Sequence, residues 1–372
     1  VNAPTHDLQA DSYLVTHEVG PNQQGIRLDH FLKDRYRKRS REQLQRAIES
    51  GAITVKRPHA PHMTVGKLKA STQLMVGDEV LVLSERKPEP EVNFNYRILF
   101  EDDVLFVIEK PANLPVHPAG RYFFNTLLVH LKTHGHKDPL KMEREFFLIH
   151  RIDKETSGIL VLAKDRDACT HITRQFAERS PEKTYLAIAR GITPEEFEID
   201  VPMGKAPDAR IELKMSPLPV EQGGQTALTR FKRIDTAGDF SLVECYPKTG
   251  RQHQIRVHLE CAGHPIVGDK LYGLDEAEGL RYVNRQYLSP EAEARLLLPR
   301  HALHASGIKF WHPVTGQRME FRCELPEDLR AFLESRRAVL HRAQDAVALD
   351  VKERGLGVQG MVARGDQNAP LA

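Results

Sequence analysis

The 372-residue chain reads as an α+β protein. Three observations predict this class. Apolar runs with strand character dominate, helical patterns interrupt them irregularly instead of alternating with them, and a basic, helix-rich stretch precedes the strand-rich part. Apolar residues make up 40% of the chain, enough for a real core, and the length suits one large domain plus a small one or two comparable ones.

Residues 1–24 are polar and are expected to form a flexible N-terminal segment. GIRLDHFLKDRYRK then places Ile26, Leu28, Phe31 and Leu32 near helical spacing. In SREQLQRAIESG, Ser40 can cap a second helix with Gln43 three residues on, Leu44, Ala47 and Ile48 form its apolar stripe, and Gly51 can end it. AITVKRP and VGDEVLVLS read as strands, completing a unit at 25–84. The charged, proline-bearing SERKPEPEV marks a linker, taken as 85–94. A larger domain, 95–337, opens with ILFEDDVLFVIEK, two apolar runs around the acidic turn Glu101-Asp102-Asp103. Asn125 can cap the helix of NTLLVHLKTHG. SGILVLAKD is a buried strand, because Ile159 to Leu162 run without polar interruption. Asp167 is the expected cap of ACTHITRQFAER, with Ala168, Ile172 and Phe176 on one face. EKTYLAIARG, ALTRFKRI, FSLVECYP and ALHASGIKFWHP return to strand character. TGRQHQIRVHLECAG turns helical, with Ile255, Leu259 and Ala262 on one side. Residues 338–372 are expected to be a partly disordered C-terminal extension.

Composition excludes several classes. No run approaches the roughly 18 apolar residues of a membrane span, and the first twenty residues lack the basic flank and apolar core of a secretory signal. Cys169, Cys245, Cys261 and Cys323 are far apart and form no C-x-x-C pair, which fits a reducing, cytoplasmic setting and no thiolate zinc. No phosphate-binding P-loop, dinucleotide fingerprint, nucleophile elbow or deaminase zinc motif is present, so no cofactor is expected. Net charge is only +2, but the segment RYRKRSREQLQR (35–46) concentrates arginine. Alone, that is a solvated helix face.

Two constellations carry chemistry. In LIHRIDKETSGILVLAKD, five charged or titratable side chains (His150, Arg151, Asp153, Lys154, Glu155) crowd the mouth of the buried strand. If this stretch is extended, Arg151 and Asp153 share one face. An adjacent cation keeps such an Asp ionised, either as a structural ion pair or as a nucleophile or electrostatic stabiliser at a sugar. The second, KTGRQHQIRVH, carries Lys248, Arg251, His253, Arg256 and His258 on a turn entering a helix. The two histidines are five apart, a poor spacing for metal ligands on one helical face, whereas phosphate contacts suit the cations.

HRIDKETSGILVLAKD resembles the signature of the RluA-type RNA pseudouridine synthases. Four further blocks are similar to that family in the same order: ILFEDDVLFVIEKPANLPVHP, EKTYLAIARG, YPKTGRQHQIRVHLECAGHPIVGDKLYG and RHALHASGIKFWHPVTG. The resemblance implies a pseudouridine-synthase fold, with a mostly antiparallel mixed sheet and a central RNA-binding cleft. Residues 25–84 resemble an S4 RNA-binding module, although AITVKRPHAP departs from that module's usual hairpin. Residue by residue, the resemblance implies that Asp153 is the essential aspartate and that Arg151 fills the gap left by a flipped uridine. Tyr185 would lie against the uracil, Arg251 would pair with Asp153, and Ile255 would wall the pocket. His150, Lys248, Arg39 and Arg41 are the further expected RNA contacts.

The expected activity is therefore isomerisation of uridine to pseudouridine in a ribosomal or transfer RNA stem-loop, by a monomer that needs neither metal nor DNA nor membrane. A non-catalytic RNA-binding protein that keeps the fold is the alternative, and a base-releasing glycosylase is a further rival.

Overall fold

The computed structural model of the chain describes residues 5–8, 12–37, 39–60, 66–85, 88–134, 145–207, 209–284 and 286–339. The chain divides into two compact units, 1–90 and 91–372, so the division falls inside the segment read as a linker.

The N-terminal unit pairs a four-stranded antiparallel sheet with two helices. Its elements are β1 (Thr5–Leu8), β2 (Ser12–Glu18), α1 (Leu28–Arg35), α2 (Arg41–Glu49), β3 (Ile53–Lys56) and β4 (Glu79–Glu85), with sheet order β1-β2-β4-β3. Phe31, Leu32, Leu44, Ile48, Ile53 and Val82 meet in its core. Ser40 closes a reciprocal cap: its Oγ accepts from the Gln43 N–H at 3.2 Å, and its own N–H donates to Gln43 Oε1 at 2.8 Å. Gly51 then takes φ +77°, the left-handed turn that ends α2. The structure corrects the reading of residues 1–24 as a loose segment. Ser12–Glu18 pairs with β4 along its whole length and lies inside the sheet. SYLVTHE buries only Val15, so its sequence carries little apolar signal, and long-range pairing decides its conformation.

The larger unit is built on a ten-stranded sheet. In chain order it contains β5 (Arg97–Glu101), β6 (Leu105–Lys110), α3 (Leu127–His134), β7 (Phe147–Leu148), β8 (Ser157–Ala163), α4 (Arg166–Ala177), β9 (Glu182–Arg190), β10 (Glu196–Asp200), β11 (Met203–Lys205), β12 (Met215–Pro217), β13 (Leu228–Ala237), β14 (Phe240–Pro247), α5 (Gln254–Cys261), α6 (Glu276–Val283), α7 (Pro290–Leu296), β15 (Leu303–Trp311) and β16 (Arg318–Arg322), followed by α8 at 327–339. The main path runs β10-β13-β14-β9-β15-β8-β6-β5, with β16 on β15 and β7 on β8, while β11 and β12 form a separate ribbon. All its pairings are antiparallel except β8 with β15. The expected C-terminal extension lies almost wholly outside the described residues.

The uninterrupted apolar runs of β6 and β8 follow from burial on both faces. Leu105, Val107, Ile159 and Val161 point into one core, which α4 closes through Ala168 and Ile172. Phe106, Ile108, Leu160 and Leu162 point into the other, closed by Leu127 and Leu131 of α3. Each such side chain contributes roughly 1.5–3 kcal/mol by leaving water. The cap of α4 is Asp165, whose carboxylate accepts from the Ala168 N–H at 2.8 Å, and not Asp167, which sits within the first turn. Both are acidic residues at a helix start, and a shift of two residues lies within what sequence patterns resolve.

β8 and β15 approach where β8 begins. Gly158 has φ +112°, and a Cβ there would stand 2.2 Å from the Ala305 carbonyl oxygen. Only glycine meets both demands. Gly158→Ala is expected to destabilise the protein by about 3 kcal/mol or more, measured as a fall in the urea midpoint; an unchanged midpoint would show that the two strands can separate freely.

Candidate active site

The loop between β7 and β8 carries HRIDKET, and its neighbours fix it residue by residue. His150 stacks on Phe176 of α4 (5.0 Å between centroids, 15° between planes), and its Nε2 accepts from the Val161 N–H at 3.1 Å. Burial and, less, Lys183 pull its pKa down to about 3, so it is a neutral acceptor anchoring the loop to β8. Ile152 packs into the α3-side core. The Lys154 carbonyl accepts from the Leu114 N–H and from Lys110 Nζ, a fully buried amino group that also reaches the Pro111 and Leu114 carbonyls. Glu155 Oε1 accepts from Lys270 at 2.8 Å and from the Tyr282 hydroxyl at 2.8 Å. Burial opposes ionisation of Glu155, but Lys270, His301 and Tyr282 hold its carboxyl down to about 2. Thr156 meets His301 Nε2 at 2.7 Å.

Asp153 is therefore presented on a rigid loop, its side chain 30% exposed, to a cavity of about 600 Å³. Arg256 Nη1 donates to its Oδ2 at 2.9 Å. The same guanidinium donates from Nε and Nη2 to the two oxygens of Asp269, at 2.7 and 2.9 Å. Asp269 is buried and also accepts from the Leu271 and Tyr272 N–H groups. The ring of Tyr272 lies 4.9 Å from the guanidinium carbon. Burial would raise the Asp153 carboxyl; His253, Arg256 and His301 outweigh it and hold it down to about 2. Burial and Arg256 bring His253 and His301 to about 4, so near neutrality both imidazoles are uncharged and Arg256 is the cation that keeps Asp153 ionised.

The pairing expected for Arg251 thus belongs to Arg256. Arg251 instead donates from Nε to the Thr226 carbonyl at 3.1 Å and lines the cavity. The reason is the turn before α5. Gln254 accepts from the Thr249 hydroxyl and the Arg251 N–H and donates to the Leu228 carbonyl and Thr229 Oγ1. His253 takes φ +58°, so α5 starts only at Gln254. Its first five residues after Gln254, Ile255 to Leu259, are all buried, so Arg256 lies in the interior. Nothing local in the sequence marks Asp269, thirteen residues on, as its partner.

The remaining expected residues are distributed as follows. Tyr185 of β9 and Ile255 of α5 line the cavity, Arg151 stands exposed at its mouth, and Lys248 is exposed on its rim. Burial, then Asp153, raises the Tyr185 hydroxyl well above its ordinary value, so it is a neutral phenol. Lys183, which the sequence reading did not single out, lines the same cavity and donates to the Thr249 carbonyl at 3.2 Å; burial lowers it to about 8, still cationic near neutrality. His258 is a core residue between Thr229 Oγ1 and the Val201 carbonyl. Arg39 and Arg41 belong to the N-terminal unit. Arg41 is exposed in the first turn of α2, and Arg39 reaches Ser84 Oγ at 3.3 Å. Among the described residues, one group of metal-ligating types gathers elsewhere, at Glu109, His304 and Cys323, where Cys323 Sγ and His304 Nε2 meet at 3.1 Å.

Arg256→Gln leaves Asp269 buried without its cation and is expected to cost roughly 3–5 kcal/mol, whereas Arg251→Ala should stay within about 1 kcal/mol of wild type. Urea unfolding of the two variants checks this. The pH dependence has a definite sign. The Asp153 carboxyl titrates near 2 when folded and near 3.9 when unfolded. Its pairing therefore contributes stability that is complete above about pH 4 and is lost as the pH falls through 2. Asp153→Asn should flatten the acid limb of the stability curve.

The family model described as RNA pseudouridylate synthase matches residues 104–261, a span that holds Asp153, Tyr185 and Arg256. The chain is 32% identical over 327 residues to the ribosomal large subunit pseudouridine synthase D of Nitrosomonas europaea, covering 87% of this chain and 88% of the relative. It is likewise 32% identical over 333 residues to the ribosomal large subunit pseudouridine synthase C of Vibrio vulnificus, covering 86% and 96%. A solved structure of human RNA Pseudouridylate Synthase Domain Containing 1 superposes with a TM-score of 0.50 at 25% identity, over 66% of this chain and 90% of that one. Together with an ionised aspartate on an HRID loop, these likenesses place the chain in the RluA-type family of RNA pseudouridine synthases.

Proposed function

We propose that this pseudouridine synthase acts on ribosomal RNA and that Asp153 carries the reaction. The observation behind the second point is the Arg256–Asp153 pair at the floor of an open cavity, with the neutral Tyr185 ring beside it. Support for the first comes from relatives named as ribosomal large subunit enzymes. A transfer RNA stem-loop is the second substrate reading.

The chemistry needs an ionised carboxylate at the sugar. The uridine N1–C1′ bond breaks and the base departs as an anion that stays bound. The base turns, C5 bonds to C1′, the C5 proton leaves to water, and N1 takes up a proton in its place. The product has the mass of the substrate. Asp153 serves either by attacking C1′ or by taking a proton from C2′ to give a glycal, and both routes require the charged form that Arg256 maintains. Tyr185 offers a ring face for the uracil. Unstacking the target costs a few kcal/mol, and the exposed Arg151 guanidinium would occupy the vacated position. Arg251, Lys248 and Lys183 supply cations at the cavity for phosphates. Arg251 in this role is a binding residue, while the carboxylate partner is Arg256.

The N-terminal unit acts in this reading as an S4-like RNA-binding module at 25–84, extended by the strand at 12–18. Arg41 and Arg39 would contact phosphates. The protein would work as a cytoplasmic monomer without DNA or cofactor. Its four cysteines are free thiols, as suits a reducing compartment, and among the described residues no helix is long and apolar enough to cross a membrane.

Two measurements test this. RNA carrying tritium at uridine C5 should lose label to water with wild-type protein, whereas Asp153→Asn should release none above background and bind the same RNA within about twofold. Release by the variant would remove Asp153 from the chemistry. A loss of RNA mass would mean base excision instead. Ribosomal and transfer RNA as separate substrates decide between the two targets. Arg39→Ala with Arg41→Ala should weaken binding and reduce the slope of log affinity against log salt by about 1–2, while turnover at saturating RNA stays at the wild-type rate.

A further inference from the structure

His253 stands beside the reacting carboxylate with its ring 9% exposed and its Nε2 3.9 Å from Asp153 Oδ1. That is the oxygen Arg256 leaves free, since the guanidinium takes Oδ2. The other ring nitrogen, Nδ1, is 2.8 Å from the Tyr272 hydroxyl oxygen. The same oxygen accepts from the Met215 N–H at 3.0 Å. The hydroxyl can accept a second hydrogen bond or donate one, so the carboxylate beside Nε2 decides the direction. With Met215 donating to the hydroxyl oxygen, the Tyr272 O–H is free to donate to Nδ1. The ring proton then sits on Nε2, facing the carboxylate. The opposite tautomer would aim a nitrogen lone pair at an anion. Tyr272 is held for this task, because its ring also packs against Arg256 and its N–H donates to Asp269.

We propose that His253 is a positioning residue for Asp153: a hydrogen-bond chain from Met215 through Tyr272 fixes its imidazole as the Nε2–H tautomer and aims that N–H at the free carboxylate oxygen. The proposal rests on the reading that Asp153 carries the reaction. At 3.9 Å the contact is an oriented dipole and not yet a hydrogen bond. A movement of about 1 Å brings it within bonding range. Such a movement is available when the carboxylate turns toward the sugar. Arg256 and His253 then hold the two oxygens separately, which sets the plane of the carboxylate. The left-handed backbone of His253 (φ +58°) holds the ring at the N-cap of α5.

Three variants and one spectrum test the chain. His253→Leu removes the N–H, and His253→Gln restores an amide N–H at a similar reach with the same backbone cost. Tyr272→Phe keeps the ring under Arg256 and removes the orienting hydroxyl. A hydrogen bond to a charged group is worth about ten- to a hundredfold, so kcat of His253→Leu should fall by that factor with KM for RNA unchanged. His253→Gln should recover most of it. In two-bond proton–nitrogen spectra of histidine-labelled protein, the signal that vanishes in His253→Gln should show the Nε2–H pattern, and Tyr272→Phe should convert it to a tautomer mixture. An Nδ1–H pattern in the wild type, or equal kcat for the Leu and Gln variants, overturns the proposal. If Asp153→Asn instead keeps full turnover, the reading of the aspartate fails, and the spectrum still decides the hydrogen-bond chain.

Discussion

A single buried guanidinium organises the centre of this protein. Arg256 is clamped from below by both oxygens of Asp269 and presents its remaining Nη1 to Asp153. Its side chain is only 6% exposed, so it has left water and depends on the two carboxylates to offset that cost. The dependence is mutual. Asp269 stays ionised in the interior because Arg256 and two backbone N–H groups satisfy it. Asp153 stays ionised at the cavity because a cation stands 2.9 Å away. The fold has to bring α5, the turn after it and the loop before β8 together for this triad to exist.

The scaffold meets that demand by burying β6 and β8 on both faces and hanging the catalytic loop on the end of β8. The loop is tied to β8 through His150, to the Pro111–Leu114 turn through the Lys154 carbonyl, and to the α6 region through Glu155. Charge crowds the mouth of a buried strand because each charged neighbour of Asp153 has a separate task. Arg151 faces out, Lys154 donates from Nζ to the Tyr122 hydroxyl, Glu155 fastens the loop to Lys270 and Tyr282, and His150 is not charged at all.

The sequence made the large elements legible because their signals are local. The apolar runs of β6 and β8, the capping box at Ser40 and the face of α4 each depend on residues within one turn or one strand. The cavity residues were reached through the family resemblance, in which HRID, the tyrosine of KTYLAI and the RQHQIR turn are contiguous motifs. The partner of Asp153 was not. Two arginines five positions apart both fit a helix start, and the difference between them is the left-handed His253 that delays α5, together with an acid thirteen residues downstream. β2 was missed because its neighbours in the sheet, not its own composition, make it a strand. The cap at Asp165 was displaced by two residues because a second aspartate follows it.

The claim on which the rest hangs is that Arg256 holds Asp153 ionised in the folded protein. Carbon-13 NMR of carboxyl-labelled aspartate, with the Asp153 signal assigned by its absence in Asp153→Asn, measures this directly. The account predicts a shift that stays constant from pH 7 to about 3.5 in the wild type, because the group titrates near 2. A midpoint at or above the ordinary value of about 3.9 would contradict it and show that Arg256 does not outweigh the burial of Asp153.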